Sequence, residues 1–173
     1  MKREILLLGN PVLRQKCKPV TEFDSIQLRR IVADLRDTLH DFRKRNGFGR
    51  GIAAPQIGVT QRIVFIHIVE PLAIINPTII RRSKRLFSLW DDCFSFPNLL
   101  VKVKRHYSIE IRYQNEMGVK KTLKASGALS ELLQHEIDHL NGVLAIDRAV
   151  DSRSILYRSE WEKFEARGQK QDE

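Results

Sequence analysis

His135 and His139 stand four residues apart, with Glu136 beside the first, in the stretch Gln134-His135-Glu136-Ile137-Asp138-His139-Leu140-Asn141-Gly142. On a helix this spacing stacks the two imidazoles on one face, one turn apart. Two imidazoles so placed can bind one metal ion, and the neighbouring carboxylate can take a proton from water on that ion. These three residues read as metal-assisted hydrolysis. A catalytic metal normally takes a third protein ligand and keeps one position open. A histidine six residues beyond His139 would mark one class of metallopeptidase, but Ala145 stands there. Glu160 would mark another, although an exposed helix carboxylate is its plainer reading. Cys93, in Trp90-Asp91-Asp92-Cys93-Phe94-Ser95-Phe96-Pro97, is the third candidate. A lone cysteine is otherwise a small core residue, which is the reading for Cys17.

The elements that must position these groups follow from periodicity. Ile26, Leu28, Ile31, Val32, Leu35, Leu39 and Phe42 recur at helical spacing over 24–45, between an Asp24-Ser25 cap and Asn46-Gly47. Residues 62–69 are β-branched and aromatic and predict a buried strand, and 74–80, 99–105 and 107–113 predict three more. Asn115-Glu116-Met117-Gly118 predicts a hairpin turn returning into 119–123. Helical spacing resumes at Ala128, places the histidines and stops at Asn141-Gly142. A last amphipathic helix is expected over 152–167. Strands grouped between helices predict an α+β fold, with the histidine helix packed on the sheet. Gly47 to Val59 is rich in Gly and Ala, which lets another backbone approach, and Gln56 adds an amide donor.

A chain of 173 residues, 42% hydrophobic, is sized for one core, expected over 1–168 with a disordered tail at 169–173. Two cysteines cannot form a disulfide scaffold and fit a reducing, cytoplasmic setting. No stretch has signal-peptide or membrane-spanning character. The net charge of +9 comes in small clusters such as Arg43-Lys44-Arg45 and Lys120-Lys121, read mainly as solvated edges. Their sharper reading is contact with a polyanion such as ribosomal RNA. No motif for reading DNA is present.

Three of these segments together resemble the peptide deformylase family. Gly49-Arg50-Gly51-Ile52-Ala53-Ala54-Pro55-Gln56 is similar to its first motif, a glycine pair followed by Ala-Ala and Gln. Asp91-Asp92-Cys93-Phe94-Ser95 is similar to its second, and Gln134 to Gly142 fits its third without a mismatch. Asn10-Pro11-Val12-Leu13-Arg14 is similar to the family's start, so the resemblance runs over residues 4–150. It implies mostly antiparallel strands around a central metal-binding helix, flanked by N-terminal and C-terminal helices. It implies removal of the formyl group from formyl-methionine on nascent peptides, in the cytoplasm and near the ribosomal exit tunnel. Cys93, His135 and His139 would then hold one divalent ion, usually Fe²⁺, although Zn²⁺, Ni²⁺ and Co²⁺ suit the same ligands. Glu136 would move the proton. Gln56 and the backbone N–H of Phe94 would stabilise the oxyanion. Gly49, Arg50, Gly51, Leu89, Asp91, Asp92 and Leu132 would meet the substrate, the backbone of Arg50 and Asp92 pairing with it as with an added strand.

The chain departs from the family at three places, the mildest being Phe94 in place of an aliphatic residue, where the backbone carries the role. Arg50 replaces an apolar residue, and Asp91-Asp92 replaces Glu-Gly, which is a strain if Asp92 needs a backbone conformation suited to Gly. Two alternatives stand beside this reading. One is a metallopeptidase using Glu160, and the other is a catalytically weak relative that binds metal or ribosome.

Overall fold

A computed structural model describes residues 1–168. The tail expected to be disordered, 169–173, lies outside the described residues. The first long element is α1 (Ile26–Asn46). Ser25 caps it by accepting the Leu28 N–H at 3.1 Å, and Gly47 closes it in the left-handed region at φ 78°. Next come β1 (Gly51–Ala53), β2 (Ile63–His67), β3 (Pro71–Arg82), β4 (Leu86–Asp92) and β5 (Leu99–His106). Then follow β6 (Ser108–Gln114), β7 (Lys120–Ser126), α2 (Gly127–Leu140), β8 (Ile155–Tyr157) and α3 (Arg158–Gly168). The expected α+β class holds.

The strands form two antiparallel sheets, one in the order β1-β2-β3-β6-β7 and one in the order β4-β5-β8. The continuous apolar character of β2 has a direct cause. Successive strand residues point to opposite faces, and here both faces are covered. Ile63, Phe65, Ala73 and Ile75 pack with Leu28, Leu35, Leu39 and Phe42 of α1. Val64, Ile66 and Ile74 pack on the other side with Leu132, Leu133, Ile137 and Leu140 of α2. A third cluster joins Cys93, Val101 and Val103 to Leu13 and Leu144. Burying a side chain such as Leu35, which is 0% exposed, stabilises the fold by about 1.5–3 kcal/mol.

Two expectations are corrected. The last helix begins at Arg158 rather than at 152, because Ile155–Tyr157 pair with Leu99–Val101 as β8. Strands β1 and β4 were not foreseen. Among the described residues no helix is long and apolar enough to cross a membrane.

Candidate active site

Every residue of α2 from Ser130 to Leu140 is buried. A surface helix would bury one stripe and hydrate the rest. Here the polar side chains Glu131, Gln134, His135, Glu136, Asp138 and His139 have lost their water as well. Burying such groups is costly unless each finds a partner, so their partners define the site.

The helix brings the two histidines together, with Nε2 of His135 and Nε2 of His139 3.2 Å apart. Strand β4 ends at Asp92 and delivers Cys93 to the same point, its Sγ 3.3 Å from Nε2 of His139. The donor atoms of Cys93, His135 and His139 all lie within 4.8 Å of one another, and all three residues are buried. A thiol and two imidazoles converging in a dry place are a borderline-soft donor set that fits a divalent transition metal. Asp91, Glu131 and His135 form a second such group. Its carboxylates are already engaged, Asp91 by Arg105 at 2.9 Å and Glu131 by Arg50 at 2.6 Å.

Asp91 also fixes the first histidine. Its Oδ1 lies 2.9 Å from Nδ1 of His135, which leaves Nε2 to face the cysteine and His139. Arg105, itself buried, bridges Asp91 and Asp138, and Arg148 reaches Asp138 from the other side. Burial alone would push Asp91 up, yet His135 and Arg105 hold its carboxyl down at about 2. Burial opposes a charge on His135, but Asp91 outweighs it and raises the ring well above its ordinary value. Burial and the neighbouring His135 push His139 down.

In front of the three side chains lies a cavity of about 420 Å³. Glu136 lines it, and burial pushes its carboxyl up to about 7. Its Oε2 has no partner among the described residues. Gln56 is held by its own Oε1, which accepts the Ala53 N–H at 2.9 Å, so its amide nitrogen points to Cys93 Sγ at 3.7 Å. No acceptor for the Phe94 N–H occurs among the described residues. Gly51 belongs here for steric reasons, since a Cβ on it would lie 2.9 Å from Oε1 of Glu136.

The chain matches the family model described as polypeptide deformylase over residues 2–154. It is 37% identical over 155 residues to a peptide deformylase of Thermotoga neapolitana, covering 89% of this chain and 91% of that protein. The chain belongs to the peptide deformylase family. The crystal structure of the Thermotoga maritima peptide deformylase superposes with a TM-score of 0.81 at 36% identity, covering 87% of this chain and 99% of that one. The Synechococcus elongatus enzyme, solved in complex with actinonin, also gives a TM-score of 0.81, at 35% identity over 88% of this chain and 81% of that one.

The deformylase fold brings together most of the residues singled out in the sequence. Gly49, Arg50, Gly51, Gln56, Asp92, Cys93, Phe94, Leu132, His135 and Glu136 all line the cavity, and His139 stands behind it. Two expected substrate residues do not line it. Leu89 packs with Cys93 and Val103 in the third core cluster, and Asp91 is 2% exposed because it is committed to His135 and Arg105. The backbone of Arg50 is also in use, since its carbonyl accepts the His67 N–H at 2.8 Å. In an antiparallel ladder the alternate residue points away, so Gly51 turns its N–H and C=O to the open edge of β1.

Asp92 carries no backbone strain, because it is not among the residues with positive φ. Its side chain meets Arg158 of α3 at 2.6 Å. Glu160 is exposed, pairs with Lys163 at 2.5 Å, and joins no candidate metal group among the described residues. His40 and His67 lie 2.9 Å apart, ring nitrogen to ring nitrogen, and partner each other. The sequence reading missed Glu131, although its place one turn before His135 was a usable signal.

Proposed function

We propose that this chain removes the formyl group from the N-terminus of new polypeptides, with Cys93, His135 and His139 holding one divalent ion. The observation that carries this reading is the approach of Cys93 Sγ to within 3.3 Å of Nε2 of His139, with His135 Nε2 a further 3.2 Å away. Bound there, a divalent ion supplies a Lewis acid and lowers the pKa of water into the neutral range. Glu136 takes the proton from the attacking water and gives it to the departing amine, a role suited by a carboxyl near 7. The Gln56 amide and the Phe94 N–H face the place where the oxyanion develops. Losing one such donor costs about 10²-fold or more in rate. The substrate lies extended between β1 and β4, each an end strand of its sheet. Asp91 and Arg105 keep His135 in the tautomer that presents Nε2.

We take Fe²⁺ as the native ion and the cytoplasm as the setting, in keeping with two buried free cysteines. The net charge of +9 suits contact with ribosomal RNA, where formylated chains emerge. Cosedimentation with ribosomes at low and high salt tests that contact, and binding insensitive to salt would contradict it.

The deciding experiment is anaerobic purification followed by formate release from a formyl-Met peptide. Glu136→Ala is expected to lower turnover by about 10²–10⁴-fold with the metal retained. Unchanged turnover in that variant would refute the assigned role.

A further inference from the structure

The cavity that holds the hydrolytic groups contains an ion pair that hydrolysis does not require. Nη2 of Arg50 lies 2.6 Å from Oε2 of Glu131, and Nη1 of Arg50 donates to the Ala128 carbonyl at 3.2 Å. The Glu131 side chain is 6% exposed and the Arg50 side chain 42%, so the acid is buried and the base opens into the cavity. Leu132, Phe48 and Phe94 form the apolar wall beside them. Two Arg50 contacts leave further guanidinium donors, which water satisfies when no substrate is present. A purely apolar side chain seated there would strip that water and offer nothing in return, and buried donors left unmet are costly. A side chain ending in an oxygen acceptor would replace the water. The local ion pair selects among acceptors. The Arg50 charge is already matched by the buried Glu131 carboxylate at 2.6 Å, so an anionic side chain seated beside Arg50 would meet a like charge, and a neutral acceptor is preferred.

We propose that Arg50, held by Glu131, is a specificity residue that favours formyl peptides whose first side chain ends in a neutral hydrogen-bond acceptor, an amide or a sulfoxide. This rests on the deformylase reading. The sulfoxide case has a ready source, because oxidation turns the methionine thioether into such a group.

The test uses the metal-loaded enzyme and formyl tripeptides that differ only in the first residue: norleucine, glutamine, methionine sulfoxide and glutamate. Calorimetric binding of the deformylated products is measured on the same proteins. Glutamine and the sulfoxide should exceed norleucine in kcat/KM by about tenfold or more, the scale of one hydrogen bond to a charged group. Arg50→Met should reverse that order. Glu131→Gln, which removes the countercharge and keeps the shape, should raise glutamate toward glutamine. If norleucine matches or beats glutamine in the natural enzyme, or if Arg50→Met leaves the order unchanged, the inference is overturned. If no formyl peptide turns over, the deformylase reading fails instead, and the order of product binding still decides the role of Arg50.

Discussion

Helices α1 and α2 flank the same sheet and bury very different things. On α1, Leu28, Ile31, Val32, Leu35, Leu39 and Phe42 make a conventional apolar stripe, Asp34 and Thr38 are the buried polar residues, and the basic residues face solvent. On α2, Glu131, His135, Glu136, Asp138 and His139 are buried alongside the leucines, because the second sheet and the third core cluster close over the face that would otherwise meet water. The first helix spends its burial on stability. The second gives up stability to hold charges in a dry place, where their acidities shift and a cation is welcome.

Substitutions can break that contrast, the largest effect coming on the stabilising side. Leu35→Ala leaves a cavity under α1 and should destabilise the protein by about 2–5 kcal/mol in urea unfolding, with metal content unchanged. Loss of metal in that variant would show that α1 shapes the site as well.

Glu136→Gln should act in the opposite sense. The Glu136 carboxyl stands at about 7 in the fold against an ordinary 4.5. The neutral form is therefore favoured by folding, its stabilising effect is full below 4.5, and it is lost as pH rises through 7. At pH 8 the metal-free Gln variant should be more stable than the metal-free natural chain, on the order of 3 kcal/mol, and the two should coincide near pH 4. Thermal unfolding with a chelator present checks this. Equal stability at both pH values would mean that Glu136 is not desolvated. The smallest effect belongs to the cap of α1, where Ser25→Ala should cost about 1 kcal/mol with no change in formate release.

The contrast also explains what the sequence could reveal. His135, Glu136 and His139 were legible because helical spacing is local and the three types together imply a metal. Cys93 lies 42 residues before His135, so only the family resemblance joined it to them. The pair of Arg50 with Glu131 spans 81 residues and leaves no local trace. Strand β4 was hidden because Ser88, Asp91 and Asp92 interrupt its apolar pattern, and Asp91 is buried there only because Arg105 and His135 receive it. Strand β1 is three residues of Gly, Ile and Ala, too short for a period to show. Ile155 and Leu156 fitted a helical stripe equally well, and pairing with β5 decided otherwise.

Metal stoichiometry in Cys93→Ala, purified anaerobically beside Glu160→Ala, tests the central claim most directly. One ion per chain should survive in the glutamate variant and be lost from the cysteine variant. A cysteine variant that keeps its full ion would contradict the account.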